Sequence, residues 1–336
     1  MHGCPSAACF FQRYARSALK ILITGSSGFV ARHFLSYLNK QKDPWEVICV
    51  DANEPNYHFD EFQNLRISFY KINLLDTDVL NKVIKEQPPD YVLHLAAFSS
   101  VAYSWNYPAE SFLNNCNIFL NLCNAIKEHN SLCRILSVGS SEEYGIVKKE
   151  DLPIKETHPL TPASPYAVAR VSQEMLSKVF CDSFGMQIIM TRSFNHIGPG
   201  QDERFSVSGF VKRILEIKRR GDKEGTIETG NLGIIRDFVD VRDVVRAYHI
   251  LLQKGQPGEV YNICAGRRIS LKDIIKQIAD IVGVDIQTKL SLSFVRPGDN
   301  PEIVGSYYKV GSMFDWKPEI DLDTTLRDMI EYDRKR

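Results

Sequence analysis

The sequence has no excess of either charge. Lys plus Arg and Asp plus Glu both number 41 among 336 residues, so the formal net charge is zero. No polybasic run occurs. Both absences argue against a nucleic-acid binder, which needs a basic face to meet phosphates. No apolar run reaches the roughly 18 residues required to span a bilayer, so no membrane segment is expected. The cysteines, Cys4, Cys9, Cys49, Cys116, Cys123, Cys133, Cys181 and Cys264, include no CxxC pair. That spacing argues against a metal ligand set. Several lie in apolar runs and read as buried reduced thiols of a cytoplasmic protein. No internal repeat or low-complexity linker is visible. What is left is an ordinary globular composition, 44% hydrophobic and 24% charged. Its length suits a nucleotide-binding domain with a smaller partner.

The opening stretch, residues 1–18, carries Arg13 and Arg16 and no acid, a faint likeness to a transit peptide. It lacks a long apolar stretch and reads as an upstream mis-start or a disordered extension. The folded chain is expected to begin near Leu19. From there the pattern repeats. "LKILITGSSGFVARHFLSYL" is an apolar strand, a glycine turn and a helix with apolar residues at Phe34 and Leu38. "WEVICVD", "RISFYKIN", "DYVLHLAA", "CRILSVGS" and "QIIMTRSF" are further strands. Between them lie a helix ending near Glu86 and two long helices over about 109–129 and 166–184. Alternating buried strands and helices predict an α/β fold, a Rossmann-type doubly wound parallel sheet. After Asn195 the segments shorten. The expected organisation is a nucleotide-binding domain over 19–194 and a smaller, mainly substrate-binding lobe over 195–336. Elements from 237–266 return to the sheet.

The first turn reads Thr24-Gly25-Ser26-Ser27-Gly28-Phe29-Val30-Ala31. Small residues at 25, 28 and 31 let backbone approach a pyrophosphate at a helix N-terminus. Glycines also make plain turns, but here they follow a strand and open a helix, the context that marks dinucleotide binding. Asp51 ends the second strand, where an acid takes the adenosine ribose hydroxyls; the alternative is a strand-end acid facing water. Its charge repels a 2′-phosphate and favours NAD, with NADP as the alternative. Asn73 ends the third strand, where it could bond the adenine edge, with Leu74 beside it. Leu95, Ala96 and Ala97 after the fourth strand complete the expected cofactor contacts, with Ser27, Phe29 and Val30 in the first turn.

Tyr166 and Arg170 are four apart and share a helix face. A tyrosine that donates a proton needs its developing charge stabilised, and a fixed cation supplies that. Arginine does so with a bulkier, planar group than lysine. Ser140 closes the fifth strand, and ligands bind at the C-terminal strand ends of such sheets. A hydroxyl beside a tyrosine can polarise a carbonyl while hydride arrives from a nicotinamide. Glu142 could act as acid or base. Glu143 reads as readily as a solvated loop residue.

These residues carry a resemblance. "TGSSGFVA", "HLAA", Asn115, "GSSEEYG", "SPYAVAR", "RDFVDVRDV" and "RPGDNPE" occur in the order found in extended short-chain dehydrogenases/reductases that act on nucleotide sugars. "HLAAFSSVAYSW", "GSSEEYG" and "RSFNHIGPGQ" most resemble the GDP-6-deoxy-D-mannose reductases. The resemblance implies that Ser140 and Tyr166 bind and protonate the C4 oxygen while hydride moves between nicotinamide and C4. It implies that Asn115 holds the active-site helix and a water relay. Ser141 and Asn195 would contact the substrate, and Arg236 and Arg296 would clamp its diphosphate; Arg236 could instead pair with Asp237. It also implies a homodimer through the two long helices. Two departures stand out: Arg170 replaces the family lysine, and Ala31 replaces a third glycine. Three other functions remain open at this stage. Ser140-Ser141-Glu142 lines up with the triplet of 4,6-dehydratases, although "FNHIGPG" lacks their Arg-rich continuation. A 4-epimerase usually carries a small residue where Glu142 stands. A non-catalytic nucleotide-binding module follows if Arg170 breaks the proton relay.

Overall fold

The computed structural model describes residues 18–294 and 300–336. The expected N-terminal extension, apart from Ala18, and Arg296 lie outside the described residues. The chain runs β1 (Leu19–Thr24), α1 (Phe29–Leu38), β2 (Trp45–Asp51), β3 (Leu65–Lys71), α2 (Thr77–Glu86), β4 (Tyr91–His94), α3 (Val101–Asn106), α4 (Pro108–His129), β5 (Arg134–Ser140), α5 (Pro165–Phe184) and β6 (Gln187–Ser193). It continues through β7 (Asn195–Ile197), α6 (Ser206–Arg219), β8 (Glu224–Thr229), β9 (Ile235–Arg236), β10 (Phe238–Asp240), α7 (Val241–Lys254) and β11 (Val260–Ile263). It closes with β12 (Ile269–Ser270), α8 (Leu271–Val282), β13 (Asp285–Leu290), β14 (Glu302–Ile303), α9 (Tyr308–Phe314) and α10 (Leu322–Arg334).

Seven strands form one sheet in the order β11-β6-β5-β4-β1-β2-β3. Every pairing in it is parallel. The order reverses direction beside β1, which opens a crevice at the C-terminal strand ends between β1 and β4. The strands are apolar because both faces are covered. On one face α1 and α7 pack Phe34, Leu38, Val244, Tyr248 and Leu251 against Ile21 and Ile23. On the other, α2, α4 and α5 pack Leu80, Phe119, Leu122 and Phe180 against Leu22 and Ile135. A separate core forms where α6, α8 and α10 meet β8, around Ile214, Ile278, Leu326 and Ile227.

The helix expected over 109–129 has a short partner before it. Tyr107 separates α3 from α4, because Pro108 fits the first helical position and disfavours helical backbone in the residue before it. Ser164 caps α5 by accepting the Ala167 N–H at 3.1 Å, and Gly185 ends it in the left-handed conformation. All six described cysteines are free thiols, and only Cys181 is not buried. Among the described residues no helix is long and apolar enough to cross a membrane.

Candidate active site

The turn after β1 is shaped by a glycine that no other residue can replace. Gly25 has φ +69°, and a Cβ there would lie 2.7 Å from the Ala96 backbone nitrogen. Bare backbone therefore lets β1 and the segment after β4 close on each other. Gly28 caps α1 and donates its N–H to the Gly25 carbonyl at 3.1 Å. Ala31 is fully buried and packs the helix onto the sheet. The result is a helix N-terminus open toward the crevice, the donor arrangement that suits a pyrophosphate.

Asp51 stands beside this turn. One carboxylate oxygen accepts the Ser27 N–H at 3.0 Å and the other the Asn53 N–H at 2.9 Å. Asn73 is exposed, with its side-chain oxygen accepting the Leu75 N–H. Leu74 is buried in the core, and its carbonyl accepts the Asn121 amide N–H at 3.0 Å. Leu95, Ala96 and Ala97 are half-buried along the crevice floor.

His94 anchors that floor. Thr24 Oγ1 accepts the Ala96 N–H at 3.4 Å and shares a hydrogen bond with His94 Nδ1 at 2.8 Å. His94 Nε2 is buried with no hydrogen-bond partner among the described residues. Burial, then the Arg170 charge, pushes the imidazole down to about 3, so it is neutral. Asn115 holds the same segment from α4. Its amide accepts the Phe98 N–H at 2.8 Å and donates to the Phe98 carbonyl at 3.3 Å. Its bonds therefore go to the loop after β4 rather than to the α5 helix that the resemblance implied.

Tyr166 lies in the first turn of α5, at the rim of the sheet, and is nearly buried. Arg170, one turn on, is buried at 5% exposure. Its Nε donates to Tyr166 Oη at 3.2 Å, and its Nη1 to the Val138 carbonyl at 3.0 Å and to Gln173 Oε1 at 2.8 Å. The arginine thus ties α5 to β5 and fixes a cation against the phenol. Ser140 ends β5 opposite Ser193. Its Oγ accepts the Glu142 N–H at 3.2 Å. Ser140 to Tyr144 form a tight turn that stops at Gly145, where φ is +67° and a Cβ would collide with the Thr161 carbonyl. Glu142 is half-buried on this turn, while Ser141 is turned inward at 3% exposure.

Asn195 is exposed at the start of β7, separated from the end of β6 by Phe194 alone. Arg236 is buried and donates to the Ile235 carbonyl at 3.0 Å and the Asn300 carbonyl at 2.7 Å. Asp237 does not serve as a surface acid. It is fully buried and accepts the backbone N–H groups of Ala265, Gly266 and Gly305.

Residues 22–329 match the family model described as GDP-mannose 4,6 dehydratase. The chain belongs to that family. It is an extended short-chain dehydrogenase/reductase of the kind that modifies nucleotide sugars. It is 32% identical over 308 residues to a GDP-6-deoxy-D-mannose reductase of Pseudomonas aeruginosa, covering 92% of this chain and 95% of the relative. A GDP-mannose 4,6-dehydratase of Yersinia enterocolitica is 24% identical, with 94% of this chain and 93% of the relative covered. Among solved structures, RMD from P. aeruginosa complexed with NADPH superposes with a TM-score of 0.82 at 29% identity, covering 95% of this chain and 100% of that one. UDP-glucose 4-epimerase from Thermotoga maritima with UDP-glucose gives 0.84 at 30% identity, covering 94% and 99%.

Family membership alone does not reveal one part of this site. Glu143, which reads as readily as loop surface in the sequence, is fully buried, and that expectation is corrected. It faces Glu174 of α5 and Arg192 of β6, whose guanidinium grips Glu174 through two bonds of 2.8 Å. The available signals were weak: two adjacent acids after a strand, and a glutamate eight residues beyond Tyr166 on the same helix face.

Proposed function

We propose that this chain is a nucleotide-sugar 4-ketoreductase, which reduces GDP-4-keto-6-deoxy-D-mannose to GDP-D-rhamnose. The observation that carries this reading is that the buried Arg170 binds both Tyr166 Oη and the Val138 carbonyl of β5, the strand that ends at Ser140. The likeness to the Pseudomonas reductase supports the substrate. The cradle, the open N-terminus of α1 and Asp51 fit a dinucleotide: Gly25, Ser27, Gly28, Phe29 and Val30 would meet its pyrophosphate and Asp51 its adenosine ribose. Asn73 and Leu95 to Ala97 would line the rest. When bound there, NAD(P)H supplies the hydride for C4.

The chain's own groups handle the oxygen. Ser140 Oγ already accepts the Glu142 N–H, which leaves its proton to bond the C4 oxygen. Tyr166 Oη accepts from Arg170 Nε, so its own proton is directed to the same oxygen. Arg170 stabilises the charge left on the phenol, and its Nη2, which has no protein partner among the described residues, is available to a ribose hydroxyl. Asn195, Ser141 and Arg236, together with Arg296, are the proposed substrate contacts. Asp51 carries the preference for NADH, since its carboxylate repels a 2′-phosphate. Exposed apolar residues along α4 and α5, among them Leu113, Val168, Met175 and Val179, fit a homodimer through these helices.

The test is turnover of the keto sugar with NADH. Tyr166→Phe should abolish it while NADH still binds; wild-type turnover in that variant refutes the assignment. A second reading, a 4,6-dehydratase, is favoured by the half-buried Glu142 beside Ser140 and Ser141. It is the outcome if GDP-mannose yields a 4-keto product without added cofactor.

A further inference from the structure

Glu143 is the one buried acid of the site turn that the proposed chemistry does not use. One oxygen, Oε1, accepts the backbone N–H of Ser140 at 2.7 Å. The fit is close: a Cβ on Gly139 would lie 2.4 Å from that same oxygen, so only bare backbone lets the carboxyl in. The other oxygen, Oε2, is buried without a hydrogen-bond partner among the described residues and sits 4.0 Å from Arg192 Nε.

Arg192 cannot serve it fully. Its Nε and Nη2 are both bonded to Glu174, and its Nη1 reaches Tyr144 Oη at 3.0 Å and the Glu156 carbonyl at 2.9 Å. Glu174 also pairs with Lys178 at 2.9 Å. Two buried carboxyl groups therefore share a cation already committed to one of them. An unpaired carboxylate beside another is unfavourable in such surroundings, so Glu143 takes the neutral form. Burial, with Glu174 adding to it, raises its carboxyl to about 8. The other charged or titratable groups around it are Glu142 and Tyr144 on its own turn, Arg170 on α5, and His158, whose ring meets Tyr144 edge-on.

We propose that Glu143 is a positioning residue: wedged between the Ser140 N–H and the Glu174–Arg192 pair, its carboxyl group holds the turn that presents Ser140 and Glu142 to the substrate. This rests on the ketoreductase reading for its substrate, but not for its geometry. Three hydrogen bonds define the turn. The Ser140 N–H goes to Glu143, the Glu142 N–H to Ser140 Oγ, and the Gly145 N–H to the Glu142 carbonyl. Loss of the first frees the end of β5 where the reacting hydroxyl is mounted. Ionisation of Glu143 strains the turn from the other side, by setting a second carboxylate charge against Glu174, whose cations Arg192 and Lys178 are already engaged.

The test uses two variants of the full chain. Glu143→Gln keeps an oxygen for the Ser140 N–H and cannot ionise. Glu143→Leu keeps the volume and removes that oxygen. Glu143→Leu should lose kcat on the order of 10²-fold, the scale of a misplaced catalytic group, with KM and NADH affinity changed little. Glu143→Gln should keep wild-type kcat at neutral pH and lose the wild-type decline above about pH 8. Hydrogen exchange of peptides spanning 138–145 gives a readout independent of the sugar. Protection should persist in Glu143→Gln and fall in Glu143→Leu, whichever nucleotide sugar reacts. Unchanged protection in Glu143→Leu overturns the proposal, as does a Glu143→Gln variant as impaired as the leucine one. If Glu143→Leu does not fold, a Glu143→Gln profile with the wild-type alkaline decline overturns it equally. Protection changes as expected with no reduction of the keto sugar would sink the substrate assignment and leave the positioning role standing.

Discussion

Arg170→Met separates the electrostatic role of this residue from its structural one. Nε of Arg170 lies 3.2 Å from the phenol oxygen of Tyr166. As Tyr166 gives up its proton, negative charge grows on that oxygen. A full unit charge about 4 Å from the guanidinium centre is worth about 4 kcal/mol at an effective dielectric near 20. With the proton half transferred, the gain is about 2 kcal/mol, or roughly 30-fold in rate. Methionine removes that gain. The fold should tolerate the change, because the arginine's partners are a hydroxyl, a carbonyl and an amide oxygen, none of them charged. Val138 keeps a second donor, Gln173 Nε2 at 3.3 Å, and Tyr166 Oη loses a donor but keeps its own proton to give, so the main loss is at Gln173 Oε1. That loss costs about 1–3 kcal/mol and is offset in part by no longer burying a cation. The assay is kcat with saturating NADH and keto sugar, beside a thermal melt. The expected result is a folded protein slowed about 30-fold, with Arg170→Lys recovering most of the rate. A folded Arg170→Met variant within twofold of wild-type kcat would refute the electrostatic argument.

Gly25→Ala should abolish NADH binding, measured by fluorescence titration, because the new Cβ would meet the Ala96 nitrogen at 2.7 Å in a left-handed backbone. Asp51→Ala should reduce the preference for NADH over NADPH by on the order of tenfold, as judged from kcat/KM with each cofactor. An unchanged ratio would remove Asp51 from cofactor choice. His94, held down to about 3, makes a contribution to stability that is complete above its ordinary value of 6.5. As pH falls below that value the unfolded chain takes up a proton that the folded chain refuses, so this contribution is lost. The slope is at most about 1.4 kcal/mol per pH unit. Urea unfolding at neutral and mildly acidic pH should therefore show a shallower acid loss in His94→Asn than in wild type.

The parallel sheet was legible in the sequence because its strands are buried on both faces and so consist of short apolar runs, such as Ile21–Ile23 and Val47–Val50. The glycine turn was legible because Gly25 and Gly28 stand between such a run and a helical pattern. Tyr166 and Arg170 were legible as a pair because a helix brings residues four apart together. The break between α3 and α4 needed more weight on Pro108. The small β8–β13 ribbon escaped notice because β13 is mostly exposed and carries little apolar signal.

The sequence by itself determined what local rules can decide: the strand–turn–helix order, the glycine turn after β1 and the spacing of Tyr166 and Arg170 on one helix face. Only the tertiary structure decided the environment of each ionisable group. Glu142 and Glu143 are adjacent in the chain, yet one is half-buried on the site turn and the other is fully buried against Glu174 and Arg192. His94 is neutral because the fold buries it, and because Arg170, 76 positions away in the sequence, adds its charge nearby. The physical reason is range. Turns and helices depend on neighbours a few residues apart, whereas burial and charge depend on which distant segments fold over a side chain and exclude water.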